Sequence, residues 1–267
     1  MVSSTLLLTL LITLLTVSNN VWLTCAHPYA IGVPVDYDGW NLYWEDEFNA
    51  THIDTNVWTL TNYTPGDAQL QFYTPENCFI EDGKLVLLSN YSKLYGFNYT
   101  SCRMDTSGSL NVVYGRFEAL MQLPLGKGYW PAFWLYSLES TCDFYREIDI
   151  MENTGDDKII WGTYHETNNC SNMGSVYNTT DVSTLNTEFH LYSVIWDVDL
   201  IVFMVDNIPY NILDLKNNPT TRFPNDVTFY MILNTAIGGG WPGDPDKNSV
   251  FPQKNIVEYV KIWKQQQ

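Results

Sequence analysis

Three carboxylates stand within six residues at Glu147, Asp149 and Glu152, alternating with Ile148, Ile150 and Met151. In a β-strand, side chains alternate between faces with a period of two, so Glu147 and Asp149 share one face and Ile148 and Ile150 take the other. Strict alternation would put Met151 beside the acids and send Glu152 to the apolar side. One extra residue around Ile150–Met151, a β-bulge, returns Glu152 to the acidic face. A helix serves worse, because at 3.6 residues per turn Glu147 and Asp149 point nearly opposite ways. Two chemistries ask for such a crowd of like charges. A divalent metal takes several oxygen ligands. A glycosidase takes one carboxylate as nucleophile and one carboxylic acid as proton donor. The plain structural alternative is an exposed acidic strand in an acidic protein.

Aromatic residues flank these acids. Trp130 and Trp134, four apart, share a face if their segment is a strand, and the opposite-facing Phe133 is the better core residue. Trp241 follows Gly238, Gly239 and Gly240, neighbours that bury it poorly, which favours stacking on a ligand. That glycine run is no phosphate loop, since it lacks the Lys-Ser/Thr ending. His165 ends Gly162-Thr163-Tyr164-His165 and is placed to bond a carboxylate or a sugar hydroxyl, with a surface histidine as the alternative. A serine hydrolase has little support: the chain has four histidines and no Gly-x-Ser-x-Gly elbow.

The elements that must carry these residues read as β. Lys84–Leu88, Tyr114–Leu123, Ile159–His165, Phe189–Trp196, Leu200–Val205, Val227–Leu233 and Ile256–Trp263 are short β-type runs between turn signals. Asp206-Asn207 reads as a tight hairpin turn. Phe117, Ala119, Met121 and Leu123 alternate with Arg116, Glu118 and Gln122. Pro28–Tyr37 reads as an irregular lead-in. No segment keeps a helical period, so the expected fold is an all-β sandwich or barrel.

The 267 residues suit one large domain, and a formal charge of −17 argues against nucleic acid and anionic membrane surfaces as partners. Ten Trp, 18 Tyr and 12 Phe suit a groove that stacks on flat neutral rings such as sugars. The apolar run Leu6–Val17 is short for a membrane span and reads as the core of a secretory signal peptide over residues 1–26, leaving 27–267 as a single domain. Cleavage there leaves Cys78, Cys102, Cys142 and Cys170, enough for two disulfides. Cys78 and Cys102 flank strands that can pair, and Cys142 and Cys170 lie in loops before and after the acidic strand and its partner, so Cys78–Cys102 and Cys142–Cys170 are the expected bonds. Sequons at Asn49, Asn62, Asn90, Asn98, Asn169 and Asn178 fit an exported glycoprotein.

Glu147-Ile148-Asp149-Ile150-Met151-Glu152 resembles the signature of glycoside hydrolase family 16 in its laminarinase-type, bulged form. Further segments fall in that family's order: Trp44–Asn49, Glu81–Leu85, Tyr114–Glu118, Trp130–Trp134, Gly162–His165, Leu233-Asn234 with Gly238–Pro245, and Val257–Lys261. The resemblance covers roughly residues 40 to 264. It implies a β-jelly-roll, two antiparallel sheets face to face with a concave substrate groove.

The resemblance also implies a secreted retaining endo-β-1,3-glucanase, with Glu147 as nucleophile, Glu152 as acid/base and Asp149 tuning them. Mixed β-1,3-1,4-glucan is a second substrate of the type. Trp130, Trp134 and Trp241 match sugar-stacking positions, and Arg103, His165 and Asn234 match residues of the groove. No cofactor is implied for catalysis. A structural calcium on the convex face is, with Glu47, the Gly83 backbone and Glu258 as matches. The expected partner is a β-glucan polysaccharide and the expected state a monomer. A β-glucan-binding protein without activity and a glucan transglycosylase are the alternatives on the same fold.

Overall fold

The computed structural model describes residues 28–266 except 64, 65, 67, 168–173, 215 and 218–226. The proposed signal segment therefore lies outside the described residues. Two antiparallel sheets stack face to face. The outer sheet runs β15 (Ile208–Asp214), β14 (Leu200–Val205), β13 (His190–Trp196), β8 (Gly115–Gln122), β17 (Gln253–Gln265), β5 (Lys84–Ser89) and β4 (Cys78–Glu81), with β1 (Trp40–Asp46) also on β17. The sheet that carries the acids runs β12 (Gly174–Asp181), β11 (Ile159–Thr167), β10 (Tyr145–Glu152), β9 (Tyr129–Ser137), β16 (Phe229–Ile237), β7 (Arg103–Asp105) and β2 (Thr59–Leu60). β3 (Gln71–Tyr73) and β6 (Tyr99–Ser101) form a small parallel pair. This is the jelly-roll sandwich the sequence implied, and among the described residues no helix is long and apolar enough to cross a membrane.

The inner faces of both sheets supply one apolar core. Phe117, Ala119 and Met121 from β8 meet Phe133 and Leu135 from β9 and Ile148 and Ile150 from β10. Strand alternation decides which residues enter it. Gly162 sits where the sheets come close: a Cβ there would stand 2.3 Å from the Tyr210 hydroxyl and 2.8 Å from the Phe203 ring. Any side chain at 162 would push β11 off the outer sheet. Asp206 and Asn207 both take positive φ, the geometry of a two-residue hairpin turn, as expected.

Arg116 and Glu118, on the face of β8 turned away from this core, are nonetheless fully buried. The lead-in covers them. The Tyr37 hydroxyl donates to Glu118 at 2.8 Å, the Tyr37 ring lies 4.0 Å from the Arg116 guanidinium, and Trp263 Nε1 donates to Glu118 at 2.9 Å. Arg116 Nε pairs with Glu118 at 3.0 Å, so the desolvated charges compensate each other.

Cys78 and Cys102 are bonded, with Cα atoms 5.2 Å apart. Cys142 is disulfide-bonded as well. Cys170, its expected partner, lies outside the described residues.

Candidate active site

The bulge lies where the alternation required it. Against β11, Asp149 faces Thr163 but Glu152 faces Trp161, so three steps on β10 match two on its neighbour. Against β9 the register slips between Asp149 and Met151. Ile150 and Met151 both enter the core, and Glu147, Asp149 and Glu152 all line one groove. The extra residue is thus what keeps three acids on one face.

One half of the groove, about 320 Å³, is walled by Trp130, Trp134, Tyr73, Arg103, Asn234 and Tyr145. The other half, about 470 Å³, is walled by Trp130, Trp161, Tyr177, Trp241, His165 and Ser175. Glu147 and Glu152 belong to both halves. All six substrate-binding residues expected from the sequence therefore meet in one cleft. The Trp134 ring lies 4.9 Å from the Arg103 guanidinium, and its Nε1 donates to Asn234 Oδ1 at 2.7 Å. Trp241, 43% exposed, stands edge-on to Trp130 at 5.5 Å and to Trp161 at 5.3 Å. Its ring is braced by other rings yet open to the groove, as stacking requires.

Tyr73, Tyr145, Trp161 and Tyr177 join the groove beyond the residues that the sequence implies. Period two was the available signal: Trp161, Thr163 and His165 alternate on β11, and Tyr145 stands two residues before Glu147.

Each acid has a distinct set of partners. The Tyr145 hydroxyl donates to Glu147 Oε2 at 2.5 Å. His165 Nε2 lies 3.1 Å from Asp149 Oδ2, while its Nδ1 meets Ser175 Oγ at 2.6 Å. Trp130 Nε1 donates to Glu152 Oε1 at 2.8 Å. Burial raises the pKa of all three carboxyls, and mutual repulsion adds to it. Burial and Asp149 raise Glu147, against the opposing pull of Tyr145, His165 and Arg103. Acids this close titrate as a unit and share protons among themselves. Glu147 faces the Tyr145 hydroxyl and the Arg103 guanidinium, which favour its ionised form and leave the shared proton to Glu152. Ligand atoms of Glu147, Asp149 and His165 lie within 4.8 Å of one another.

The two carboxylates implied for calcium, Glu47 and Glu258, each stand against a lysine. Lys261 Nζ lies 3.2 Å from Glu47 and 2.8 Å from Glu45, and Lys84 Nζ lies 3.8 Å from Glu258. Calcium needs six to eight oxygens with spare negative charge. Here ammonium groups already stand against the acids that would supply it, so the residues present do not fit the ion.

Residues 45–261 match the family of glycosyl hydrolases family 16. The chain is 33% identical over 276 residues to glucan endo-1,3-beta-glucosidase A1 of Niallia circulans, covering 89% of this chain but only 40% of that enzyme. It is 32% identical to a beta-glucanase of Rhodothermus marinus, over 84% of this chain and 85% of the relative. Among solved structures, the laminarinase catalytic domain of Thermotoga maritima superposes with a TM-score of 0.79 at 34% identity, covering 85% of this chain and 99% of that domain. The bulged acidic strand, its aromatic groove and these likenesses agree: the chain belongs to glycosyl hydrolases family 16.

Proposed function

We propose that the protein is a secreted, retaining endo-β-glucanase acting on β-1,3-glucan, and on mixed β-1,3-1,4-glucan as a second substrate. One observation carries the reading: Glu147 and Glu152 stand on the same face of one bulged strand, inside a groove walled by tryptophans. In the first step a Glu147 oxygen attacks the anomeric carbon and the glycosidic C–O bond breaks. The leaving oxygen keeps the bonding pair and takes the Glu152 proton. The product of that step is a glycosyl ester on Glu147. Glu152, now a carboxylate, takes a proton from water as the water oxygen attacks the same carbon and releases Glu147. Two displacements preserve the β configuration. Asp149, 3.1 Å from His165, is a third buried carboxyl beside the pair, and its proximity disfavours ionising all three together. The relatives named for 1,3-β-glucan activity support the linkage, and the apolar segment Leu6–Val17, the sequons and the disulfides support export. The protein is proposed to act as a monomer.

The alternative of a binding protein without activity is disfavoured by the presence of all three acids. Incubation of the purified protein with laminarin, curdlan, lichenan, xyloglucan and agarose, followed by product analysis, tests the reading. Oligosaccharides of mixed length from laminarin are expected. Intact laminarin with a measurable Kd would support the binding-only alternative, and lengthened products would support transglycosylation.

A further inference from the structure

Tyr145 shares the groove face of β10 with Glu147, two residues away, and its hydroxyl lies 2.5 Å from Glu147 Oε2. A phenol has one proton to give, and an ionised carboxylate can only accept. Burial and the Glu147 charge together hold that phenol in its protonated form. The contact is therefore a short, charge-assisted hydrogen bond whenever Glu147 is ionised.

The surroundings fix Tyr145 in place. Its ring stands edge-on to Tyr136 at 5.3 Å. Its carbonyl accepts from Arg146 Nη1 at 2.6 Å, and the same nitrogen donates to the Thr167 carbonyl of β11 at 2.9 Å. Arg146 points away from the groove, 2% exposed, with its guanidinium 4.2 Å from the Phe144 ring. Ser140 Oγ accepts from the Arg146 amide at 3.1 Å. A buried arginine and a loop hydroxyl thus pin the two polar groups of the Tyr145–Arg146 peptide, the kind of support that keeps a reacting group within a fraction of an ångström of its working geometry.

We propose that Tyr145 is a positioning residue for the nucleophile: its hydroxyl orients the Glu147 carboxylate and keeps it ionised among neighbouring acids. The inference rests on the reading of Glu147 as nucleophile. The groups facing Glu147 are Asp149 and Glu152 from its own strand, His165 from β11, Arg103 from β7 and Tyr136 from β9. Asp149 and Glu152 oppose its ionisation, while His165 and Arg103 favour it. Tyr145 adds the direct hydrogen bond. Once the ester forms, the charge on Glu147 is gone and the bond weakens, so Tyr145 acts mainly on the free enzyme and little on the covalent intermediate.

The test uses 2,4-dinitrophenyl 2-deoxy-2-fluoro-β-laminaribioside. Its C1–O bond breaks with the electron pair leaving on dinitrophenolate, which needs no proton from Glu152. The pH dependence of labelling therefore reads Glu147 without the general acid. Tyr145→Phe is expected to move the acidic limb of the labelling profile upward by about one pH unit, a roughly tenfold loss below the limb, with the two profiles converging above it. Coincident limbs, or a slowdown uniform across pH, would overturn the proposal. If Tyr145→Phe does not fold, 3-fluorotyrosine at position 145 keeps the ring, strengthens the donor and should move the limb downward; an unmoved limb would overturn the proposal equally. Wild-type protein left unlabelled, or labelled elsewhere than Glu147, would instead overturn the nucleophile assignment, and this inference with it.

Discussion

Trp130 Nε1 donates a hydrogen bond to Glu152 Oε1 at 2.8 Å. One side chain thereby walls both halves of the groove and tunes the proposed acid/base. The bond lowers the Glu152 pKa against the larger effect of burial. Trp130→Phe keeps a flat ring and removes the donor, so the Glu152 pKa should rise further. The general acid then keeps its proton to higher pH. The alkaline limb of the kcat profile on laminarin should move up by about one unit, because hydrogen bonds to charged groups are worth about 1.5–3 kcal/mol. Initial rates between pH 6 and 10 check this, with KM little changed.

The raised carboxyl pKa values also bear on stability. Burial and mutual repulsion raise the carboxyls of Glu147, Asp149 and Glu152 above the ordinary carboxylate range, so the folded cluster holds protons that the unfolded chain gives up. Such a group contributes stability that is present at acid pH and lost as pH rises through its folded pKa. Wild-type protein should therefore lose stability between about pH 5 and 8. Glu147→Gln removes the cost of holding that charge and should flatten the loss. At pH 8 the variant should be more stable by roughly 1–3 kcal/mol, or about 2–10 °C in melting temperature. Its hydrolysis of laminarin should be nearly abolished. Paired thermal melts at pH 5 and pH 8 measure the difference.

Trp241 is braced by Trp130 and Trp161 but stays 43% exposed. Trp241→Ala should weaken oligosaccharide binding by roughly 1–3 kcal/mol, the range for one lost ring-on-aromatic contact. The melting temperature should stay nearly unchanged. Titration calorimetry with laminari-oligosaccharides on the inactive Glu147→Gln background, beside a thermal melt, separates stacking from core packing.

Lys261 pairs with Glu45 and Glu47, and Lys84 with Glu258, where a structural calcium would otherwise find its oxygens. Chelator should leave the melting temperature unchanged, and added calcium should not raise it. A ligand that bound only the folded chain would raise it in proportion to the logarithm of its concentration, so a calcium titration of the melt is decisive.

Much of this was legible in local spacing. The break in alternation at Ile150–Met151 foretold the bulge, and the four-residue step from Trp130 to Trp134 foretold a shared face. The hairpin at Asp206-Asn207 and the Cys78–Cys102 bond followed from turn chemistry and strand pairing. What stayed hidden depends on contacts distant in sequence. Alternation put Arg116 and Glu118 on a polar face, but Tyr37 and Trp263 bury them there. The calcium matches rest on the family resemblance, and the pairing of Lys261 with Glu47 emerges only when β1 lies beside β17. Tyr145 and Trp161 were reachable by extending period two along β10 and β11. Their partners, the second oxygen of Glu147 and the ring of Trp241, were not.

The central claim is that Glu147 and Glu152 act as nucleophile and acid/base in a double displacement. Proton NMR of laminarin hydrolysis, recorded in the first turnovers before mutarotation, reads the new reducing ends directly. The account predicts β-configured ends that relax slowly toward the α/β equilibrium. New ends that first appear as α would contradict it.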